Sequence, residues 1–113
     1  MPLHLLPNKT AAITGGTTGI GRAITLGFLA HGCNVAVNHL ALPRDDVHLS
    51  SLHAEAATLK AADPDAGELI DVPGDVTLPE TGRELVESAV RRWGRLDVFV
   101  NNAGVCEFAE FLE

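Results

Sequence analysis

Short apolar segments alternate along this chain with longer segments in which apolar residues recur three and four positions apart. The short segments lie at about residues 9–14, 34–38, 68–72 and 96–100, and each has the length of a buried strand. The longer segments have the periodicity of amphipathic helices, and the first of them aligns Ile20, Ala23, Ile24, Gly27 and Phe28 on one face. This alternation predicts an α/β fold with parallel strands, because each helix returns the chain to the starting edge of the sheet.

The first two helices have recognisable ends. The first is predicted to run from Gly19 to His31, with Gly32 as the C′ residue. The second follows a loop at residues 43–46, and its apolar stripe extends from Leu49 to about Ala62. Each of these helices is therefore predicted to connect two consecutive strands.

The third helix is predicted to begin at a capping box, residues 77–80. In that motif Thr77 bonds a free backbone N–H group while Glu80 reaches back to the start of the helix. Gly94 marks the end of the helix. Because β-α-β crossovers are right-handed, the elements predict a parallel sheet of about four strands, in the order 3-2-1-4, within a single domain over residues 1–113.

The turn after the first strand, residues 14–21, is rich in glycine and opens the first helix. Gly15 lets the chain reverse, and Gly19 and Gly21 allow N–H groups at the helix N-terminus to approach a pyrophosphate. The spacing is G-x-x-x-G-x-G and differs from the G-x-G-x-x-G fingerprint. By itself the turn therefore fits either a phosphate site or an ordinary tight turn.

Polar and small residues follow the other strands at the same edge of the predicted sheet. Asn38 and His39 end the second strand, and Asp75-Val76 follow the third. The fourth strand leads into Asn101-Asn102-Ala103-Gly104. Nucleotides bind across the carboxyl ends of parallel strands, so these positions are expected to surround one ligand.

The motifs at residues 14–21, 75–76 and 101–104 resemble those of the short-chain dehydrogenase/reductase family in identity, order and separation. The resemblance implies a partial Rossmann fold that binds NADP or NAD. By resemblance, Asp75 accepts a bond from the adenine amino group, or else only stabilises a turn, and Asn102 contacts a ribose while Asn101 is structural. The implied cofactor-binding residues are Gly15, Thr17, Thr18, Gly19, Ile20, Gly21, Asn38, His39, Asp75, Val76, Asn102, Ala103 and Gly104.

The end of the second strand bears on the choice of cofactor. An acidic residue there bonds a free ribose 2′-hydroxyl, whereas a small polar or basic residue tolerates a 2′-phosphate. This chain has Asn38, His39 and Leu40 at that point. The sequence therefore favours NADP over NAD, with use of both left open.

The family resemblance also implies hydride transfer between the nicotinamide and a carbinol or carbonyl carbon. In the family, a Tyr in Tyr-x-x-x-Lys moves the accompanying proton and a Ser polarises the substrate oxygen. This chain contains no tyrosine. We therefore assign no catalytic residue and interpret the chain as the cofactor-binding N-terminal part of such an oxidoreductase, inactive by itself. The alternative is a non-catalytic nucleotide-sensing or interaction module.

A narrower resemblance is to the NAD(P)-dependent L-rhamnose 1-dehydrogenases, which oxidise the anomeric carbon of the sugar. Three stretches carry it: residues 37–40, 73–83 and 102–113. It implies a sugar substrate for the full-length form, with Val105, Cys106 and Phe108 either lining its pocket or packing in the core. Full-length family members are commonly homo-oligomers, through helices absent or incomplete in this chain.

Charge and composition exclude several other classes of protein. The net charge of −7 at pH 7 argues against binding to nucleic acid or an anionic membrane surface. No apolar run has the length of a membrane span or a signal peptide, so a cytoplasmic location is expected. Neither Cys33 nor Cys106 belongs to a C-x-x-C motif and the histidines have no metal-ligand spacing, so no metal site is predicted.

Overall fold

The computed structural model describes residues 4–102, and the predictions for Ala103, Gly104, Val105, Cys106 and Phe108 lie outside the described residues. All neighbouring strands pair in parallel, in the order β3-β2-β1-β4, which confirms the predicted α/β fold and strand order. The elements in chain order are β1 (Thr10–Ile13), α1 (Gly19–Ala30), β2 (Asn34–His39), α2 (Asp45–Ala62), β3 (Leu69–Pro73), α3 (Pro79–Trp93) and β4 (Val98–Val100).

The strand β1 lies between β2 and β4 and is buried along its whole length. On one face of the sheet, Ile13 and Val37 cluster with Leu29 of α1 and Leu52 of α2. The opposite face packs against α3 through a separate cluster that includes Leu85. Because both faces are covered, both alternating sets of strand side chains are apolar, which explains the continuous apolar segments in the sequence.

The helix α2 begins earlier than the sequence pattern predicted. Residues 43–46 were expected to form a loop, but the helix already starts at Asp45. The N–H group of Asp45 donates to the carbonyl oxygen of Leu42 at 2.8 Å, which closes the turn that leads into the helix. Asp45 and Asp46 lie in the first turn, where negative charge is favourable. The apolar stripe begins later because this first turn is not covered by the core.

The predicted capping box of α3 is wrong. The N-cap residue is Leu78, Pro79 occupies the first helical turn, and no side chain caps the helix through a hydrogen bond. Thr77 instead donates from both its N–H and its hydroxyl to Oδ1 of Asp75, at 2.9 and 2.7 Å. The carboxylate two residues upstream competes successfully for the groups that a capping box would use.

Gly67, in the connection between α2 and β3, lies directly against backbone. A Cβ at this position would lie 1.7 Å from the carbonyl oxygen of Cys33, and the Gly67 N–H donates to the carbonyl oxygen of Leu29 at 2.8 Å. The connection can reach the sheet at this point only without a side chain.

We therefore expect Gly67→Ala to lower the free energy of unfolding by about 3 kcal/mol, because the neighbouring atoms are backbone and cannot rotate away. The matched control is Gly82→Ala in α3, where a Cβ would meet no atom within 4 Å. That change should raise stability by up to about 1 kcal/mol through helix propensity. Urea unfolding followed by circular dichroism measures both, and equal stability of the two variants would contradict this account.

Candidate functional site

The glycine turn between β1 and α1 presents the start of the helix at the carboxyl edge of the sheet. Gly15 and Gly19 have φ values of +62° and +56°, in the left-handed region that favours glycine. Thr18 is the N-cap of α1, but its side chain makes no capping hydrogen bond, and the first turn contains no acidic residue. The N–H groups and the positive end of the helix dipole are therefore open to an anionic ligand.

The glycines of this turn have different physical roles. A Cβ on Gly21 would lie 2.3 Å from the Gly15 carbonyl oxygen and 2.7 Å from Nδ2 of Asn102, so Gly21 allows close packing within the protein. Gly19 has open space beside it and is required for its backbone conformation instead. Gly16, to which the sequence assigned no role, would clash with Val37 at 2.6 Å if it carried a Cβ.

The end of β4 is tied to this turn through Thr14, the first residue of the glycine motif, to which the sequence analysis assigned no contact of its own. The N–H of Asn102 donates to Oγ1 of Thr14 at 2.9 Å, and the Asn102 amide nitrogen donates to the Gly15 carbonyl oxygen at 3.2 Å. The Thr14 hydroxyl lies 3.3 Å from Oδ1 of Asn101. Asn102 is therefore held against the turn. The position of Thr14, a hydroxyl residue at the end of a strand and next to the glycines, could have indicated this role.

The two polar residues at the end of β2 brace the protein through their side chains. Nδ2 of Asn38 donates to the Gly74 carbonyl oxygen at 2.9 Å, which ties β2 to the chain leaving β3. Nδ1 of His39 accepts the N–H of Ala41 at 3.1 Å. The proton of this imidazole is therefore on Nε2, which lies 3.0 Å from Oδ2 of Asp71.

Asp71 of β3 joins two histidines from different elements. Its Oδ2 is paired with His39 of β2, and its Oδ1 lies 2.9 Å from Nε2 of His53 in α2. Burial acts to raise the pKa of Asp71, but hydrogen bonds from His53 and His39 outweigh that effect and hold the pKa below its usual value. The ionised carboxylate therefore helps fix α2 and the end of β2 against the sheet.

Asp75 forms the turn that the sequence left open as an alternative to ligand binding. The N–H and hydroxyl of Thr77 bond one carboxylate oxygen and hold the pKa of Asp75 below its usual value. Asp75 is also exposed and lines the cavity described next, so its turn geometry does not remove it from the site.

A cavity of about 320 Å³ opens beside the glycine turn, between the ends of β2 and β3 and the start of α2. It brings together many of the residues predicted from sequence and adds Leu40, Asp45 and Thr77. Gly19, Ile20, Gly21 and Asn102 do not line it; the Ile20 side chain is 74% exposed. The lining residues are Gly15, Thr17, Thr18, Asn38, His39, Leu40, Asp45, Asp75, Val76 and Thr77.

Another cavity, of about 250 Å³, lies at the amino ends of the strands, beside Gly32 and Asn34. Lys60 reaches it, but its ammonium group donates to the Ala66 carbonyl oxygen at 2.6 Å. Ligands of open parallel sheets bind at the carboxyl ends of the strands, so the candidate site is the cavity beside the glycine turn. Among residues 4–102, no group of three metal-ligating side chains is placed to hold a metal ion, and no helix is both long and apolar enough to span a membrane.

Comparison with known proteins agrees with this geometry. The family model described as short chain dehydrogenase matches residues 9–113. A solved short chain dehydrogenase from Mycobacterium smegmatis superposes with a TM-score of 0.71 at 30% identity, over 90% of this chain and 39% of that one. A short-chain type dehydrogenase/reductase from Mycobacterium marinum gives a TM-score of 0.69 at 28% identity, over 83% of this chain and 34% of that one.

Curated relatives are similar over nearly the whole chain. The L-rhamnose-1-dehydrogenase of Scheffersomyces stipitis is 48% identical over 111 residues, which is 96% of this chain and 40% of that protein. The L-rhamnose 1-dehydrogenase (NAD(P)(+)) of Sphingomonas sp. (strain SKA58) is 40% identical over 111 residues, 98% of this chain and 40% of that protein. The chain thus spans 40% of the length of these relatives.

From the hydrogen bonds between Asp71 and the two histidines, we expect stability to depend on pH in the acid range. A carboxyl whose pKa is lowered by folding stabilises the protein above its unfolded pKa of about 4, and this stabilisation is lost as the pH falls through the lower folded value. Asp71→Asn should therefore reduce the free energy of unfolding by about 1–2 kcal/mol at neutral pH and flatten its decline below pH ~4. Urea unfolding at a series of pH values measures this.

The control for this prediction is Asp65→Asn, which neutralises an exposed carboxylate that makes no side-chain hydrogen bond within residues 4–102. Its acid limb should follow that of the unsubstituted chain. Parallel acid limbs for Asp71→Asn and the unsubstituted chain would show that Asp71 does not couple folding to protonation.

Proposed function

The chain belongs to the short-chain dehydrogenase/reductase family, and from that premise we propose that its carboxyl-edge site binds NAD(P) as part of an oxidoreductase. The observation that carries the proposal is the N-terminus of α1, which lacks a side-chain cap and an acidic first turn and adjoins a cavity of about 320 Å³. An anionic group at the helix start and an adenosine in the cavity fit these two features together.

Each part of the proposed cofactor has its own residues. Backbone N–H groups of the glycine turn, residues 15–21, bind the diphosphate, with Thr17 and Thr18 lining the path to the cavity. Asp75 and Val76 bind the adenine, and Asn38 and His39 lie against the ribose of the adenosine. Asn102, together with Ala103 and Gly104 outside the described residues, contacts the other ribose.

The bound dinucleotide supplies the hydride acceptor or donor. The chain's own residues bind and orient it, but the 113 residues include no tyrosine to move the proton. We therefore expect the chain alone to bind cofactor without turnover. A non-catalytic nucleotide-sensing module is the second candidate, favoured by that same lack of tyrosine. Detectable hydride transfer by residues 1–113 would contradict the expected lack of turnover and would exclude the sensing module.

The proposed substrate class of the full-length protein is a sugar oxidised at its hemiacetal carbon. This rests on the relatives named as L-rhamnose dehydrogenases, 48% and 40% identical over 111 residues. The test is NAD(P) reduction by the protein of the complete reading frame with a panel of aldoses. Turnover of other alcohols with no response to L-rhamnose would remove the sugar assignment. The expected homo-oligomer and cytoplasmic location remain predictions.

Thr18 allows diphosphate binding to be tested without damaging the fold. Thr18→Asp places a carboxylate at the N-cap of α1, where it should stabilise the helix by about 1 kcal/mol. The same charge repels the diphosphate, so we expect affinity for NADH and NADPH to fall about tenfold or more. Isothermal titration calorimetry measures the affinities, and urea unfolding measures the stability.

The matched control is Thr18→Asn, which caps the helix without adding charge and should retain most of the affinity. Amide NMR provides a second readout: NADH should shift the signals of Gly19 and Gly21 but not that of Glu87 in α3. Equal affinities for the Asp and Asn variants, or unmoved glycine signals in a folded sample, would contradict the proposal.

A further inference from the structure

The charge distribution of the adenosine cavity differs from that expected from the end of β2 alone. The strand ends without an acid, which favoured NADP, but the start of α2 brings Asp45 into the lining of the same cavity. Asp45 lies six residues beyond His39, across a turn in which Ala41 has a φ of +61°.

We infer that Asp45 makes this cavity select a free adenosine 2′-hydroxyl over a 2′-phosphate, so that the preferred cofactor is NAD. The inference rests on the proposed function, because it assumes that the cavity holds adenosine. It departs from the preference for NADP expected from the sequence.

The carboxylate of Asp45 is suited to accept a hydroxyl. Its Oδ2 accepts the Leu42 N–H at 3.2 Å, which fixes the side chain at the head of α2. Its Oδ1 makes no hydrogen bond within residues 4–102 and remains available for a ribose hydroxyl. A 2′-phosphate, with a charge of about −1.5 to −2, would meet this carboxylate at close range.

The N-terminus of α2 does not offset that repulsion. The N–H groups of Asp45 and Asp46 are already bonded to the carbonyl oxygens of Leu42 and Pro43, at 2.8 and 3.2 Å. Both acidic side chains lie in the first turn and cancel the positive end of the helix dipole. The first two N–H groups of this helix are therefore not available to an anion.

Basic groups that could neutralise a 2′-phosphate are either bonded to other residues or absent from the cavity lining. No lysine or arginine lines the cavity, and the Arg22 guanidinium is bonded to Ser51 and Glu55 at 3.0 and 2.8 Å. His39 cannot donate from Nδ1, because that atom accepts the Ala41 N–H. Arg44 precedes Asp45 at the N-cap of α2 and does not line the cavity.

The inference can be tested with two adenosine nucleotides that share a 5′-phosphate and differ only in the 2′-phosphate. We expect the chain to bind 5′-AMP about tenfold more tightly than adenosine 2′,5′-bisphosphate, by calorimetry at low salt. Asp45→Asn should reduce that ratio about fivefold or more, since it removes the charge and keeps the shape. The matched control, Asp46→Asn, removes the neighbouring exposed charge and should leave the ratio within about twofold.

The full cofactors give the second readout. NADH should bind more tightly than NADPH, and Asp45→Asn should narrow the difference by the same factor as for the two adenosine nucleotides. Tighter binding of the 2′-phosphate forms, especially if lost in Arg44→Gln, would overturn the inference, as would equal effects of the Asp45 and Asp46 changes. Failure of all four ligands to bind would instead refute the proposed function, and the inference with it.

Discussion

The site depends on how closely the first turn of α1 approaches the end of β1. Gly21 lies against the Gly15 carbonyl oxygen so tightly that a Cβ would come within 2.3 Å of it, and the Asn102 amide donates to that same oxygen. The contact holds the helix start, the glycine turn and the end of β4 in one arrangement. The N–H groups of α1 can meet an anion in a fixed geometry only because this packing fixes the helix relative to the sheet.

Around that contact, polar side chains serve mainly as braces. Asn38 ties β2 to the chain beyond β3, and Asp71 joins β2 to α2 through two histidines. Asp75 closes the turn before α3. These hydrogen bonds already fix the backbone around the site. Binding of a ligand to the neighbouring N–H groups therefore costs the protein little conformational entropy. Residues expected to touch the cofactor thus first shape the surface that it meets.

The strand order could be predicted because short buried strands alternate with helices along the chain. This alternation, with right-handed crossovers, leaves few possible topologies. The glycine turn was also predicted from the sequence, but the atoms that each glycine packs against were not. Gly16 is required by Val37, which is distant in sequence, and Gly21 by the Gly15 carbonyl oxygen and the Asn102 amide. The prediction of a capping box was wrong because the N–H and hydroxyl groups of Thr77 bond the carboxylate of Asp75. Asp45 was missed since its place in the cavity depends on where α2 begins, a boundary that apolar periodicity cannot define.

In our proposal, an acidic chain of net charge −7 binds an anionic cofactor through local electric fields rather than through its overall charge. Its first two helix N-termini are arranged in opposite ways. Neither N-cap side chain makes a capping hydrogen bond, but the α1 terminus has no acid in its first turn, whereas the α2 terminus carries Asp45 and Asp46, whose N–H groups are already bonded. At contact distance these differences outweigh the net charge, which solvent ions screen beyond about 10 Å. In the arrangement that we propose, the first terminus accepts the diphosphate, and the second favours a hydroxyl over a phosphate on the adjoining ribose.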